Sequence, residues 1–468
     1  MISVQSERNF RIILGMETKE KWLWKKTKLE KFYEIFAISY QLTLVTREHL
    51  HEEQVIRALT HCQRKVPILK TCFGERDGET WVKEMTQEII DYELLPDDTK
   101  DADLHDKLQQ YSFNKETGPL WCAKLKPELG SSPDAVFGDG VAGFPHRYSL
   151  FLGISHAVTD GTSNAIVCGF LVQILDDVLA GREINDEEQL GMYVSDERIK
   201  KAIGEKVAFV KGNPELQSKL LADYQILQGR RSLLKTVFKG VGEEKGRSLY
   251  RTQNLDARTT AAFIKRCRAE GVTFNSAFAA IANFATIELL VHGGFERDSY
   301  SIHSLHVLNA RRYLEGDTSQ YLGCHIMMLN GIFETPRHFN ENFWKYAKPI
   351  NEELHSKIKS GYPLQLEGIN DLVPKTPDFN PNYEFEYCIT NMGDVTQKVT
   401  EGGEHVQVLH LLRTVDICKV SCTCSNFLHT LRGRLTHTVV YNTAHFTPHL
   451  AEMFCERVFH YLRASLEV

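Results

Sequence analysis

One stretch, RYSLFLGISHAVTDGTSNAIVCGFLVQIL (Arg147 to Leu175), constrains the fold more than any other part of the chain. It opens with an apolar run that is typical of a buried strand, and it closes with apolar residues at helical spacing. Only seven residues, Ser155 to Gly161, lie between the two runs. We therefore expect a strand that leads directly into a helix, with His156 at the strand end, where a rigid element can aim an imidazole into a cleft.

The length of the chain predicts more than one domain. Its 468 residues exceed the roughly 250–300 at which a single hydrophobic core stops growing. Strand-like EIFAISYQLTLV and helix-like EEQVIRALTHCQRK occur in the first half, and a similar mixture follows later, where Thr273 is a candidate N-cap. We expect an N-terminal domain over 1–185, a crossover region over 186–250 and a C-terminal domain over 251–468, each a mixed sheet with helices.

Composition excludes several classes of function. The chain has 55 basic and 61 acidic side chains, a net charge of -6, which favours no binding to nucleic acid. Eleven cysteines and no Asn-x-Ser/Thr sequon argue against a secreted disulfide framework. We find no export signal and no run of about 18 apolar residues. These features favour a cytoplasmic protein with reduced thiols.

The segment KEKWLWKKTKLEKFY mixes lysines with Trp22, Trp24, Leu29 and Phe32. This mixture suggests a basic amphipathic surface helix. Peripheral membrane contact through this helix is the weaker interpretation, and a solvated helix that packs on its own domain is the stronger one.

His156 is the candidate general base, because it is the one side chain of the motif whose ordinary pKa lies near neutrality. Two roles are open for Asp160: it orients the imidazole as in a triad, or it pairs with an arginine and fixes the loop. Gly161 would allow a substrate or a backbone to approach closely. The chain contains no GxSxG elbow, which disfavours a serine hydrolase.

Several further segments carry a resemblance to a known family. These segments are ALTHCQRKVPILKTCFGERDG (Ala58 to Gly78), FNKETGPLWCAKL (Phe113 to Leu125), ISHAVTDGTS, CRAEGVTFNSAFAAIA and CITNMGD. In this order, and over nearly the whole chain, they resemble the HxxxDG CoA-dependent acyltransferase superfamily. That superfamily includes chloramphenicol acetyltransferase, peptide-synthetase condensation domains and alcohol acetyltransferases, of which the last are the nearest.

The resemblance implies two chloramphenicol acetyltransferase-like domains with a tunnel between them, and an acyl-CoA (acetyl-CoA) co-substrate with no bound cofactor. It implies that His156 deprotonates a small-molecule alcohol or amine acceptor, which attacks the thioester without a covalent acyl-enzyme. A hydroxyl acceptor is preferred. Asp160 would be structural and paired with an arginine of the second half, for which Arg311 and Arg312 both remain candidates. Thr162 and Ser163 are candidate oxyanion donors, because developing charge on the thioester oxygen needs a donor.

The chain also departs from familiar versions of the family. Ser155 replaces the second histidine of the HHxxxDG form, and DFGWG, which marks the plant BAHD branch, is absent. Asn391 and Gly393 are typical of a turn at a strand end, whereas the family places this segment along the tunnel. The segments GRR, KGR and NARR supply basic groups for the CoA phosphates, and all three remain candidates.

Two other signals are weaker. Cys418, Cys422 and Cys424 suggest metal thiolates, but alternation along a strand would bury them in a core, and no paired Cys-x-x-Cys accompanies them. His303 and His306 would lie on opposite faces of a strand. We expect no metal and a monomer. The alternatives to O-acyl transfer are N-acyl transfer or condensation-type amide formation, and a catalytically idle homologue that binds a small molecule or a protein.

Overall fold

The computed structural model describes residues 2–6, 9–13, 19–128, 142–193, 196–339, 342–373, 383–420 and 422–468. The first half of the chain contains β1 (Ile2–Ser6), β2 (Asn9–Ile13), β3 (Trp22–Lys25), α1 (Lys28–Tyr33), β4 (Ala37–Thr46), α2 (Glu52–Lys65), β5 (Thr71–Arg76), β6 (Glu79–Glu84), β7 (Ile89–Leu94), α3 (Asp101–Gln109), β8 (Trp121–Pro127), β9 (His146–Ser155), α4 (Gly161–Leu179), β10 (Met192–Tyr193), α5 (Asp196–Lys211) and α6 (Pro214–Leu227).

The second half contains α7 (Leu233–Val237), β11 (Ser248–Leu255), α8 (Ala257–Ala269), α9 (Phe274–His292), β12 (Ser299–Asn309), β13 (Tyr321–Leu322), β14 (Ile326–Pro336), α10 (Phe343–Ser360), α11 (Tyr362–Gln365), β15 (Phe385–Asp394), α12 (Thr396–Val399), β16 (Val406–Val415), β17 (Cys422–Leu431), β18 (Arg434–Asn442) and α13 (Pro448–Ala464). Short 3₁₀ turns cover Pro67–Lys70, Ala310–Tyr313 and Leu366–Ile369.

Unit 1 is built from three separate stretches of chain, Met1–Asp196, Gly316–His325 and Asp394–Asp416. Its large sheet has the strand order β1-β2-β7-β8-β9-β4-β16 and mixes parallel and antiparallel pairs. All ten residues of β4 are buried, because this strand lies between β9 and β16 and is covered on its faces. Sequence reasoning expected contiguous domains and did not foresee the two segments that return to unit 1 from the second half.

Unit 2 comprises Glu197–Glu315, Ile326–Gly393 and Ile417–Val468. Its sheet has the order β11-β18-β17-β15-β12-β14, again mixed, with β12 parallel to β15 and antiparallel to β14. The side chain of Thr273 accepts a hydrogen bond from the amide of Ser276 at the start of α9, which confirms the predicted N-cap. Most of the region predicted as a crossover forms α5, α6 and α7.

The longest apolar helices, α4 and α9, are the core helices of their units. Both are long and apolar enough to cross a membrane, but 72% and 78% of their apolar windows are buried inside the protein. A core helix that is covered on nearly all sides has this composition. Their hydropathy is therefore explained by packing.

The basic amphipathic helix predicted over KEKWLWKKTKLEKFY is wrong. Trp22–Lys25 is a strand that pairs antiparallel with β6, and the helix begins only at Lys28, where Thr27 supplies the N-cap. Its lysines are largely matched by carboxylates, in the pairs Lys21–Glu84, Lys25–Glu79 and Lys31–Glu79. The segment therefore has neither the continuous helix nor the unbalanced charge that the prediction required.

Candidate functional site

The HxxxDG motif lies between β9 and α4, as the sequence predicts. Residues Tyr148–Ser155 of β9 are buried and pair with β4 and β8. The loop ends at Asp160, the N-cap of α4, whose carboxylate accepts from the amide of Ser163 at 2.8 Å. A rigid strand and a capped helix therefore fix both ends of the loop that carries His156.

The hydrogen bonds of His156 define which ring nitrogen can act as a base. Its Nδ1 lies 2.9 Å from the carbonyl oxygen of Thr159, and a carbonyl oxygen can only accept. Nδ1 therefore carries the proton, and the lone pair is on Nε2, which has no hydrogen-bond partner among the described residues. Burial lowers the pKa of His156 below its ordinary value, so the ring is neutral near pH 7.

An aromatic ring covers one face of this imidazole. Tyr33 stacks on His156 with ring centroids 4.2 Å apart and an interplanar angle of 29°, and Phe32 and Phe36 pack on Tyr33. Helix α1, which carries Tyr33, has a capping box in which Glu30 also accepts from the indole of Trp24. Tyr33 therefore covers one face of the imidazole, and its own position is fixed by its aromatic neighbours.

Asp160 does not orient the imidazole. Its Oδ1 accepts from the amide of Ser163 and its Oδ2 from the amide of His325, both at 2.8 Å, whereas Nδ1 of His156 is bonded to Thr159. The triad arrangement left open by the sequence is thus not formed. Asp160 instead ties the start of α4 to the returning segment Gly316–His325, although its charge still favours the protonated form of His156.

Ser163 completes this connection. Its Oγ donates to the carbonyl of Gly323 at 2.8 Å and accepts from the amide of the same residue at 3.0 Å. The single hydroxyl proton is therefore already committed, which disfavours Ser163 as an oxyanion donor. Thr162 is partly exposed and remains the candidate of the two.

The returning loop Leu322–His325 brings unforeseen residues to the site. Gly323 has φ +143°, and a Cβ there would lie 2.5 Å from Nε2 of His325, so the turn requires glycine. The next residue, Cys324, is buried and places its Sγ 3.8 Å from Nδ1 of His156. Nothing in the local pattern around residue 323 indicates a partner 160 residues earlier, so sequence reasoning could not find this loop.

Two further side chains of unit 1 reach the motif. The hydroxyl of Tyr40 donates to the carbonyl of Gly161 at 2.9 Å, and Arg413 on β16 hydrogen-bonds the same hydroxyl. Both are buried. The one charged side chain in a largely apolar strand, VQVLHLLRTV, was the available signal for Arg413, because arginine is almost never fully buried without a partner.

The remaining predicted site residues belong to unit 2. Arg311 is buried, whereas Arg312 is exposed and its Nε donates to the carbonyl of Asn309. Burial makes Arg311 the better candidate for a buried carboxylate, but its pairing with Asp160 stays a prediction, because the residues lie in different units. Oδ1 of Asn391 accepts from the amide of Gly393, which has φ +67°. This is a turn near the end of β15, and its role along a tunnel stays a prediction.

The cysteines and histidines considered as metal ligands have other surroundings. Cys422 and Cys424 are buried in β17, and burial raises the pKa of both thiols. His303 lies on β12 with its ring nitrogens at the carbonyl of Glu384 and the side chain of Asn330. In the part of the chain that the structure describes, no group of three His, Cys, Asp or Glu residues could hold a metal ion.

Comparison with known proteins gives matches in structure alone. No family model and no curated protein matches the sequence. The trichothecene 15-O-acetyltransferase of Fusarium sporotrichioides is 11% identical with a TM-score of 0.65, covering 95% of each chain. The first condensation domain of the calcium-dependent antibiotic synthetase is 12% identical with a TM-score of 0.65, covering 97% of each chain.

An epimerization domain of tyrocidine synthetase B also has this fold, at 12% identity and a TM-score of 0.60, over 97% of this chain and 99% of that one. The names of these three proteins describe three different reactions, so the shared fold does not select the chemistry. The chain has the fold that the acetyltransferase and condensation domains share, and the resemblance to the HxxxDG acyltransferase superfamily that its motifs indicated is confirmed at the level of the fold.

Proposed function

We propose that the protein is an acyltransferase that moves an acyl group, by preference acetyl, from acyl-CoA to the hydroxyl of a small-molecule alcohol. His156 is the general base, and both substrates are bound together in one ternary complex. Acyl-CoA is a co-substrate, and the proposal includes no resident cofactor, no metal and no nucleic acid. The protein is proposed to act as a monomer in the cytoplasm.

The observation that carries this proposal is the state of His156. An imidazole whose Nδ1–H is bonded to a carbonyl, whose pKa is lowered by burial and whose Nε2 has no partner among the described residues can remove a proton from an acceptor. The protonated ring then returns the proton to the leaving thiolate of CoA. Each step uses Nε2 alone, so no rearrangement of the ring is needed.

Acyl transfer needs no protein nucleophile in this arrangement. Holding the thioester carbonyl next to the acceptor heteroatom lowers the barrier by proximity, worth roughly 7–11 kcal/mol in the best-oriented cases. Thr162, which is partly exposed at the start of α4, is proposed as the donor to the developing oxyanion, because the hydroxyl proton of Ser163 is bonded to the carbonyl of Gly323. The acetyltransferase among the structural neighbours supports a hydroxyl acceptor, and the condensation domains support an amine as the second candidate.

The test is an incubation of the full chain with acetyl-CoA and a panel of alcohols and amines, in which the acylated product and free CoA are measured by mass spectrometry. Mass detection is preferable to thiol reagents because the protein has eleven free cysteines. His156→Ala is the matched control. Product from alcohols that depends on His156 is expected.

Two other outcomes would change the proposal. Product from amines alone would replace O-acylation by N-acylation and keep the base. If no acceptor yields product, although acyl-CoA or a ligand from the panel binds, the protein is a binding homologue and the enzymatic proposal fails.

A further inference from the structure

Arg413 is a buried cation, so its charge must be stabilised by neighbouring groups. It is 3% exposed on β16, a strand that belongs to unit 1 although it follows residue 400 in the sequence. In the register of β16 and β4, Arg413 lies opposite Tyr40, and its guanidinium hydrogen-bonds the hydroxyl of that tyrosine. A charged group is retained in such a place only when it is paired or hydrogen-bonded.

The hydrogen bonds of Tyr40 have a fixed direction. Its hydroxyl has one proton, and it donates this proton to the carbonyl of Gly161 at 2.9 Å. Towards Arg413 it can therefore only accept. A cation that donates to a hydroxyl polarises it and strengthens the next bond in the chain. The order is thus Arg413 to Tyr40 to Gly161.

This chain of bonds ends next to the residues that hold the base. Gly161 is the first residue of α4 and follows Asp160, and the carbonyl of Thr159, one residue earlier, accepts from Nδ1 of His156. Burial is the largest influence on the pKa of the Tyr40 hydroxyl and raises it. The charge of Arg413 lowers this pKa and the charge of Asp160 raises it, so Tyr40 lies within electrostatic range of both residues. The motif thus has a buried cation on its own unit.

We propose that Arg413 is a positioning residue for His156: through Tyr40 it holds the first turn of α4, and with it the carbonyl of Thr159, so that Nδ1 stays protonated and Nε2 faces the acceptor. This inference rests on the proposed acyl transfer for its kinetic consequence. Because Arg413 acts through the base, its loss lowers turnover and leaves substrate affinity unchanged.

The kinetic test uses Tyr40→Phe, which removes one hydroxyl and keeps both charges. Its matched control is Tyr92→Phe, because Tyr92 is also buried in the large sheet of unit 1 and its hydroxyl has no partner among the described residues. We expect kcat to fall roughly tenfold in Tyr40→Phe, with KM unchanged, since small misplacements of catalytic groups have effects of this order or larger. Tyr92→Phe should retain its kcat, and equal kcat values in the two variants would overturn the proposal.

A double-mutant cycle tests the route through Tyr40. Arg413→Gln should lower kcat at least as much as Tyr40→Phe, and Arg413→Gln with Tyr40→Phe should be no worse than Arg413→Gln alone. Fully multiplicative effects would overturn the proposed route. If Arg413→Gln does not fold, the comparison of Tyr40→Phe with Tyr92→Phe decides the question.

Nitrogen NMR of the full chain labelled at histidine gives a readout that does not need activity. The resonances of His156 are assigned by their loss in His156→Ala, and we expect a single Nδ1–H tautomer in the wild type and a mixture of tautomers in Tyr40→Phe. An unchanged His156 spectrum in Tyr40→Phe would overturn the positioning role even if acyl transfer is found. A changed spectrum in a protein that transfers no acyl group would support positioning and refute the proposed function.

Discussion

Asp160→Asn tests the architecture around the motif most directly. The carboxylate uses one oxygen for the amide of Ser163 and the other for the amide of His325, both at 2.8 Å. Asparagine has one carbonyl oxygen and one amino group. It can still cap α4, because Asn and Asp are similar as N-caps, but its amino group must then face the N–H of His325.

The magnitude follows from these contacts. A buried donor without an acceptor costs about 1–3 kcal/mol, and loss of the negative charge at the start of α4 costs about 0.3–1 kcal/mol. We therefore expect the free energy of unfolding of unit 1 to fall by about 1.3–4 kcal/mol. At about 2–4 °C per kcal/mol for a unit of this size, Tm falls by about 3–16 °C. A buried pair with Arg311 would add to the loss.

Scanning calorimetry of the full chain measures this shift. The control is Asp177→Asn on the same helix, where the carboxylate is 39% exposed and pairs with Arg182 at 2.7 Å. An exposed pair contributes at most about 1 kcal/mol, so Tm should change little. A normal Tm in Asp160→Asn together with greatly reduced turnover would refute the architectural role and favour direct participation in proton transfer.

Three other predictions concern the reaction. His156→Ala should lower kcat by about 10²–10⁴-fold with Tm near that of the wild type, and near-normal turnover would remove His156 from the mechanism. Because burial lowers the pKa of His156, kcat/KM should rise with pH through a midpoint below 6.5, its ordinary value; a midpoint above that value would contradict a desolvated base. Initial-rate lines at several fixed substrate concentrations should intersect, whereas parallel lines with an acyl adduct on the protein would indicate a covalent intermediate.

The sequence was informative wherever a pattern is local. Apolar runs on either side of SHAVTDG predicted β9 and α4, and Thr273 was recognisable as an N-cap because capping depends on neighbours a few residues apart. The segment around Trp22 misled because lysines and tryptophans fit an amphipathic helix and an edge of a small sheet equally well. Pairing with β6 decided between them, and such pairing is not visible in one segment.

The site could be predicted only in part for the same reason. His156 was identified from its motif, but the neighbours that define its chemistry come from distant stretches: Tyr33 from α1, Cys324 from the returning loop and Arg413 from β16. The motif also left the role of Asp160 open, since a carboxylate at that spacing can reach an imidazole or a backbone amide. Only the backbone geometry shows that the carboxylate of Asp160 accepts from backbone amides and does not bond the imidazole.

The two returning segments also affect how the protein is made. At about 5–20 residues per second, Asp416 is synthesised roughly 10–45 s after Asp196. Until then the nascent chain has β4 without its neighbour β16, and during the earlier part of this interval Asp160 also lacks the amide of His325. An apolar strand with an unpaired edge is a site of aggregation, so this edge of β4 is open to pairing with another chain for this interval. A fragment ending near residue 196 would carry the motif but could not complete the surroundings of its histidine.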